Sequence, residues 1–205
     1  DISPALVEAA RSRLGVDNRN ITFEVADVSL VPPPAQRFDR LVSRFGIMFF
    51  ANPLATFSNL ASWLAPEGRF AFAVWASPAE NPWMTYVREV VNEVAELPPP
   101  EPDAPGPFRY GDVDQLLNLL QQAGFGHLNS VKWDGLLPVG GGLSATEAAQ
   151  FALSSFSIAE PLAEVGETVA EQVQQNLASR YGQYAQNDIV MMPACVHLVT
   201  GGLQA

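Results

Sequence analysis

The chain opens on apolar residues at helical spacing. In the first segment, DISPALVEAARSRLG, the apolar positions that share one helical face are Leu6, Ala9, Ala10 and Leu14. Ser3 is a favourable N-cap, Pro4 suits the first helical position, and Gly15 can supply a left-handed stop. The sequence therefore predicts a helix that begins at the third residue.

Strand and helix patterns alternate through the rest of the first half. Ile21, Phe23 and Val25 alternate with polar residues and predict a strand that ends at Asp27. The centre of FDRLVSRFGIMFF is continuously apolar and predicts a strand covered on both faces, as does RFAFAVWA. Between them, NPLATFSNLASWLAPEG has the apolar stripe of a helix. This order predicts a mostly parallel α/β sheet with right-handed crossovers.

The second half predicts further helices and two strands. Helices are predicted in TYVREVVNEVAEL, over residues 112–123, after the capping box of Ser144 and Glu147, and over residues 161–181. HLNSVKWDGLLPV and IVMMPACVHLVTG predict strands, and the glycines at 140–142 predict a flexible turn. We expect residues 1–140 to form a core, and residues 141–205 to add a helical segment and the final strand of the same domain.

Composition narrows the class of partner. The 205 residues include 11 basic and 22 acidic side chains, and this net charge of -11 disfavours nucleic acid and anionic membrane surfaces. The single Cys195 excludes an internal disulfide and a cysteine-based metal cluster. No apolar run approaches the roughly 20 residues of a membrane span, and no leader pattern precedes the first helix, so we expect a cytoplasmic protein. Because no initiator methionine is present, we expect the gene to begin upstream.

Residues for acid, base, nucleophilic or metal chemistry are scarce. The two histidines, His127 and His197, are too few and too far apart in sequence to predict a metal site. The chain has no G-x-S-x-G elbow, P-loop or G-x-G-x-x-G fingerprint. His127 is the candidate for a general base, and a plain surface histidine is the alternative interpretation. These features favour a reaction that needs little acid, base or metal.

Two acidic residues stand where a doubly wound sheet binds a nucleotide. In such sheets, ligands lie at the carboxyl ends of the strands, and an acidic residue after the second strand receives the ribose hydroxyls. Asp1, directly before the first helix, has that position. Asp27 follows the next predicted strand, where a carboxylate can accept from the adenine amine. Together they could hold an adenosine, and the alternative is a terminal residue and an ordinary turn residue.

Five segments in order resemble one enzyme family. DISPALVEAAR, ADVSLVP, FDRLVSRFGIMFFANP, LAPEGRFAFAVW and LLQQAGF are similar to the class I S-adenosylmethionine-dependent methyltransferases, in the branch of the ubiquinone and menaquinone biosynthesis enzymes. The resemblance covers residues 1 to about 125. It implies a Rossmann-like, doubly wound, mostly parallel sheet, with S-adenosylmethionine as cofactor. It also implies methyl transfer to a small molecule by in-line displacement, which positioning alone can accelerate.

The resemblance implies roles for particular residues. Asp1, with Ile2 beside it, matches the family's ribose-binding acid. Asp27 matches the acid that meets the adenine amine, and the backbone amide of Val28 can reach the ring. Ser43 and Arg44 match the end of the family's fourth strand, beside the methionine moiety and the substrate mouth. Gly68 matches the tight turn before its fifth strand, and its role there is structural.

Aromatic residues near the same mouth could shape an apolar substrate pocket, or could belong to the core. These residues are Phe45, Trp75 and Trp83. The helices predicted between residues 144 and 181 could form a lid over such a pocket, or a packed C-terminal layer.

The chain departs from the family pattern at its N-terminal end. The family's first strand and glycine-rich loop have no counterpart here, and they would stand before Asp1. We therefore expect an incomplete sheet that is completed by another copy of the chain or by a separate N-terminal segment, with impaired activity of this chain alone. A degenerate α/β domain with a binding or scaffolding role is the alternative. A nicotinamide-dependent oxidoreductase has less support, because no tyrosine has a lysine four residues later.

Overall fold

The computed structural model describes residues 1–14, 20–95, 97, 99, 101, 103–155 and 166–204. Its helices are α1 (Pro4–Leu14), α2 (Pro53–Trp63), α3 (Pro82–Asn92), α4 (Val113–Gln122), α5 (Ala145–Ser155) and α6 (Glu167–Gly182). Its strands are β1 (Phe38–Arg44), β2 (Leu64–Trp75), β3 (Phe125–Pro138), β4 (Ala185–Gln186) and β5 (Ile189–Leu203). Short 3-10 turns lie at Ile47–Phe49, Pro78–Glu80 and Val139–Gly141.

The four long strands form one mixed sheet in the order β1-β2-β5-β3. β1 and β2 pair in parallel, whereas β5 is antiparallel to both of its neighbours, β2 and β3. Three of the four long strands therefore point in the same direction, and their carboxyl ends meet at one edge of the sheet. β4 pairs with β5 in a short hairpin. The mixed α/β fold, with most strands running in one direction, is as the sequence predicts.

Local signals at the helix starts are confirmed by the structure. The Asn52 side chain caps α2 by accepting from the amide of Ala55 at 3.3 Å. At α4, the carboxylate of Asp112 accepts from the amide of Asp114 at 3.1 Å. In front of α5, the Glu147 carboxylate accepts from the backbone amide of Ser144 at 3.1 Å, which is one of the two bonds of the predicted capping box. None of the described helices is long and apolar enough to cross a bilayer.

Two groups of helices pack against parts of the sheet. α2 and α4 cover one face, where Phe57 lies 6.1 Å from the Phe72 ring and Leu116 is fully buried. α3, α5 and α6 pack against one another and against β5. The Tyr181 hydroxyl of α6 donates to the backbone carbonyl of Trp83 at the start of α3, which joins two of these helices by a buried hydrogen bond. The core is therefore one continuous cluster on both sides of β5.

The strand predicted at residues 21–27 is wrong, because the structure assigns none there. The segment is extended, but among the described residues its backbone pairs only with Asp1. The Asp1 amine donates to the Glu24 carbonyl, and the Ala26 amide donates to the Asp1 carbonyl. A regular strand needs a partner along its whole length, and this segment has one for a single residue. Ile21 and Val25 are consequently each 48% exposed.

Other boundaries also differ from the prediction. β1 ends at Arg44, because Phe45 adopts a left-handed conformation with φ of 60° and turns the chain. β2 begins earlier than predicted, at Leu64, and bulges outward before Arg69, where a Cβ on Gly68 would lie 2.6 Å from the Leu64 side chain. The predicted Gly15 stop and residues 161–165 of the predicted last helix lie outside the described residues. The domain division at residue 140 stays a prediction.

Candidate active site

The structure places Asp1 beside the segment that leads to Asp27. The amide of Ala26 donates to the carbonyl of Asp1 at 2.9 Å, and the amine of Asp1 donates to the carbonyl of Glu24 at 3.2 Å. This is the hydrogen-bond pattern of a parallel pair, centred on Asp1 and Val25. Asp27 stands two residues after Val25 on the paired segment, so the backbone of Asp27 lies near that of Asp1.

The loop after Asp27 is held by a side chain of α2. The Asn59 amide donates to the carbonyls of Val28 at 2.9 Å and of Val31 at 2.7 Å. Val28 also packs against the hydrophobic core. The backbone from Asp27 to Val31 is therefore fixed relative to α2.

One oxygen of each carboxylate accepts hydrogen bonds from the residue two positions later in the chain. Oδ1 of Asp27 accepts from the Ser29 hydroxyl at 2.6 Å and from the Ser29 amide at 2.8 Å, and these bonds lower the pKa of Asp27 below its usual value. Oδ1 of Asp1 accepts from the Ser3 amide at 2.8 Å. Within the part of the chain that the structure describes, the second oxygen of each carboxylate accepts no hydrogen bond. Both acids can therefore accept a hydroxyl or amine of a ligand, which is what an adenosine offers.

Ser43 and Arg44 lie at the carboxyl end of β1. They pair with Phe72 and Ala73 of β2, and the Arg44 side chain is exposed. The following Phe45 has φ of 60°, a conformation that costs a non-glycine residue energy and is common at functional sites. The Phe45 amide donates to the Ala73 carbonyl at 3.0 Å, so the turn is anchored to the sheet.

The three predicted aromatic residues form one contiguous cluster at this edge. The ring of Phe45 stacks on Trp75 with 4.0 Å between centroids and 3° between planes. Trp75 in turn meets Trp83 edge to face, with centroids 4.9 Å apart. Trp75 and Trp83 are 9% and 6% exposed, so they support the cluster from within while Phe45 is partly exposed. Trp75 and Trp83 are therefore part of the core, and a role of the three rings in a substrate pocket stays a prediction.

A buried asparagine organises the same region. Oδ1 of Asn81 accepts from the backbone amide of Cys195 at 3.1 Å and from the indole of Trp83 at 3.3 Å. Its amide nitrogen donates to the carbonyls of Cys195 and Ser77, each at 3.1 Å. The side chain thus continues the β2 ladder beside β5 after the backbone of β2 has turned away, and it fixes the position of Trp83.

An ion pair borders this cluster on β3. The Lys132 ammonium lies 2.5 Å from Glu80 and 3.6 Å from Asp134. The hydrogen bond from Lys132, and then that from Ser77, lowers the pKa of Glu80 to about 2. Burial raises the pKa of the nearby Cys195 thiol to about 11, so this thiol stays protonated at neutral pH.

His127 lies away from the carboxyl edge. It sits in a bulge of β3 opposite Gly201, whereas β2 and β5 form their last pair at the carboxyl end between Trp75 and Val196. Gly201 and Val196 are five residues apart along β5, or about 17 Å at about 3.3 Å per residue. The structure therefore does not bring His127 together with the other predicted site residues.

Sequence reasoning missed the two asparagines that hold this site. Asn59 stands in the apolar stripe LATFSNLASW, and a polar residue in that position is a signal for a specific hydrogen bond. Asn81 precedes Pro82 and is typical of a helix start, which explains its location but not its bonds to β5. Those bonds cross more than 100 residues of sequence, so no local pattern predicts them.

Comparison with known proteins agrees with this geometry. Residues 1–68 match the family model of a methyltransferase domain. The chain is 27% identical over 140 residues to the ubiquinone/menaquinone biosynthesis C-methyltransferase UbiE of Coxiella burnetii, an alignment covering 61% of this chain and 54% of that protein.

Two solved structures share the fold. The YcgJ protein of Bacillus subtilis has a TM-score of 0.58 at 13% identity, with 100% of this chain and 81% of that one covered. A protein assigned to the methyltransferases of an antibiotic biosynthesis pathway in Anabaena variabilis has a TM-score of 0.54 at 12% identity, with 99% and 80% covered.

The chain spans only part of the length of its curated relatives, from 28% of a malonyl-[acyl-carrier protein] O-methyltransferase of Ilyobacter polytropus to 54% of UbiE. The sequence matches named above are all to methyltransferases, and the two solved structures show the fold. The chain resembles the class I S-adenosylmethionine-dependent methyltransferases of the UbiE type, and it has their Rossmann-like fold.

Proposed function

We propose that this chain is an S-adenosylmethionine-dependent methyltransferase that acts on a small-molecule acceptor. One observation carries the proposal. The 2.9 Å bond from the Ala26 amide to the Asp1 carbonyl holds Asp1 beside the segment that leads to Asp27, and the second oxygen of each carboxylate accepts no hydrogen bond from the described residues. The match of residues 1–68 to a methyltransferase domain covers both acids.

The adenosine end of the cofactor would be held by two pairs of residues. Asp1 and Ile2 would face the ribose, whose two hydroxyls can both donate to one carboxylate. Asp27 and Val28 would face the adenine, with the carboxylate accepting from the exocyclic amine. The lowered pKa of Asp27 keeps that acceptor ionised at neutral pH. Asn59 would preserve the position of the adenine loop through its two bonds to the loop carbonyls.

The methionine end of the cofactor and the methyl acceptor would lie at the carboxyl end of β1. Ser43 and Arg44 would border the methionine moiety, and the cluster of Phe45, Trp75 and Trp83 would form one wall of an apolar acceptor pocket. When bound, S-adenosylmethionine supplies a methyl group on a sulfonium that is already activated for in-line displacement. The protein's task is then to hold the acceptor at near-attack distance, which a rigid aromatic wall can do without a base. His127 has no part in this arrangement.

We also propose that the free edge of β1 is completed by another strand. Within the described residues, β1 pairs with β2 alone, and its Phe38 and Val42 are 45% and 78% exposed. An apolar, unpaired edge favours pairing, either with an N-terminal segment that carries the family's glycine-rich loop or with a second copy of the chain. The single Cys195 fits a cytoplasmic protein, and the net charge of -11 fits a small-molecule partner rather than nucleic acid.

Calorimetric titration with S-adenosylhomocysteine tests the function. Asp27→Asn removes a charge-assisted acceptor, which is worth about 1.5–3 kcal/mol, so we expect binding to weaken by roughly 10- to 100-fold. Glu24→Gln is the matched control, because that exposed side chain stands on the same segment and only its backbone carbonyl pairs with Asp1. Equal affinity of the two variants would contradict the assignment of Asp27.

The same titration separates the competing interpretations. Binding by the chain alone supports the cofactor site directly. If the chain alone shows no binding, an N-terminal segment with the glycine-rich loop is added. Binding in its presence supports the proposed completion of the sheet. Silence under both conditions would favour a non-catalytic binding domain and would overturn the methyltransferase proposal.

A further inference from the structure

The turn after β1 fixes the position of the Phe45 ring. Phe45 has a left-handed backbone with φ of 60°, which a residue other than glycine adopts only at a cost in energy. Its amide still donates to the Ala73 carbonyl at 3.0 Å, so β2 holds the turn. A Cβ on Gly46 would lie 3.2 Å from the Ser43 hydroxyl, so the turn is also tight. Strained backbone that its surroundings hold in place is typical of functional sites.

Buried side chains support the Phe45 ring from one side. Trp75 stacks on it with centroids 4.0 Å apart and planes 3° apart, so no ligand can enter between the two rings. Trp83 meets Trp75 edge to face at 4.9 Å, and its indole donates to the Asn81 side chain at 3.3 Å. Trp75, Trp83 and Asn81 are all buried, whereas Phe45 is only half-buried. The face of Phe45 that a ligand can reach is therefore the one turned away from Trp75.

This ring face is suited to a cation that has no proton to donate. An aromatic ring is electron-rich on its face and attracts a cation that lies within about 6 Å of its centroid. The sulfonium of S-adenosylmethionine is a permanent cation and donates no N–H or O–H hydrogen bond. Of the other residues proposed for the methionine end, Ser43 offers a hydroxyl and Arg44 a positive charge, so neither supplies a negative group. The outer face of Phe45 is the electron-rich surface that this end of the site offers.

We propose that the outer face of Phe45 binds the sulfonium of S-adenosylmethionine by a cation–π interaction, and that the chain thereby binds the charged cofactor in preference to its neutral product. This role rests on the proposed function and deepens it, because it assigns the recognition of charge to one ring of the aromatic wall. Trp75, Trp83 and Asn81 are then positioning residues that hold this ring.

Methyl transfer removes the charge that Phe45 recognises. The acceptor's electron pair forms the new bond to the methyl carbon, and the electrons of the broken carbon–sulfur bond return to sulfur. The remaining thioether is neutral, so its attraction to the ring is lost. Because the charge on sulfur already decreases in the transition state, the interaction favours cofactor binding and product release rather than the chemical step.

Calorimetric titration of Phe45→Leu with S-adenosylmethionine and S-adenosylhomocysteine tests this proposal. Leucine keeps an apolar side chain and removes the ring face. The full 205-residue chain is used, together with the N-terminal segment if the wild-type chain requires it to bind S-adenosylhomocysteine. We expect the Kd for S-adenosylmethionine to rise roughly three- to thirtyfold, and that for S-adenosylhomocysteine to change by less than about twofold. Phe45→Tyr keeps a ring and should retain the wild-type ratio of the two affinities.

Phe38→Leu is the matched control. Phe38 and Arg44 are the two ends of β1, six residues or about 20 Å apart, and Phe38 is 45% exposed. The same replacement at this distance should change neither affinity. Misfolding of Phe45→Leu would weaken both ligands alike, so it cannot imitate a loss that is confined to S-adenosylmethionine.

The aza analogue of S-adenosylmethionine provides a test that needs no variant. A tertiary amine replaces the sulfonium and carries the same methyl group, so its charge can be removed by raising the pH. The protonated form should bind the wild-type chain more tightly than the neutral form, with S-adenosylhomocysteine titrated at the same pH values as the reference.

The outcomes distinguish this proposal from the proposed function. If the wild-type chain binds S-adenosylhomocysteine but Phe45→Leu changes both affinities equally, or changes neither, the cation–π role is overturned and the methyltransferase proposal stands. Equal binding of the protonated and neutral aza analogue overturns that role in the same way. If S-adenosylhomocysteine does not bind with or without the N-terminal segment, both proposals are overturned.

Discussion

Asn81→Ala tests how the end of β2 is joined to β5. Asn81 is fully buried, and its side-chain amide forms a two-sided pair with the backbone of Cys195, with both bonds at 3.1 Å. The amide therefore acts as one more peptide unit of the β2 ladder. Alanine removes both bonds and leaves the Cys195 amide and the Trp83 indole without this acceptor.

The expected cost follows from the buried groups left behind. A typical hydrogen bond contributes about 1 kcal/mol net, and an unsatisfied buried donor costs about 1–3 kcal/mol. With one backbone amide orphaned, the free energy of unfolding should fall by about 2–4 kcal/mol. For a chain of this length, that corresponds to a decrease in Tm of roughly 5–15 °C.

Urea unfolding measures this change, followed by both tryptophan fluorescence and circular dichroism so that a two-state transition can be verified. Asn129→Ala is the matched control, because Asn129 is an exposed strand residue and its replacement should change stability by less than about 0.5 kcal/mol. Asn81→Asp should be at least as damaging as Asn81→Ala, since it removes the donor and buries a carboxylate. Equal stability of Asn81→Ala and Asn129→Ala would refute the ladder interpretation.

Three further predictions concern charge, core and close packing. The hydrogen bond from Lys132 lowers the pKa of Glu80 from 4.5 to about 2. The wild-type chain should therefore be more stable than Glu80→Gln above pH 4.5, and this difference, measured by urea unfolding, should disappear as the pH falls to about 2. Phe57→Ala, at a fully buried ring, should lower the unfolding free energy by about 3–5 kcal/mol in the same assay. Gly201→Ala would put a Cβ 2.8 Å from a backbone carbonyl and should cost about 1–3 kcal/mol, whereas Gly106→Ala, with no atom nearer than 3.9 Å, should be tolerated in a thermal melt.

Features that depend on neighbours in sequence could be predicted from it. The capping box of Ser144 and Glu147 and the helix that begins after Asp112 depend on residues two or three positions apart, so local chemistry determines them. The strand predicted around Phe23 depends instead on a partner elsewhere in the chain. Its alternating pattern is real, but among the described residues the segment pairs only with Asp1, so no regular strand forms.

The candidate site also contains residues whose positions could be predicted from the sequence and one whose position could not. Asp1 and Asp27 could be proposed because strand ends converge by topology, and their hydrogen-bonded neighbourhood agrees with that reasoning. His127 can be proposed only from the chemistry of its side chain, which says nothing about its position in the fold. Its place in a bulge opposite Gly201 is determined by the register of β3 on β5, which the local sequence does not encode.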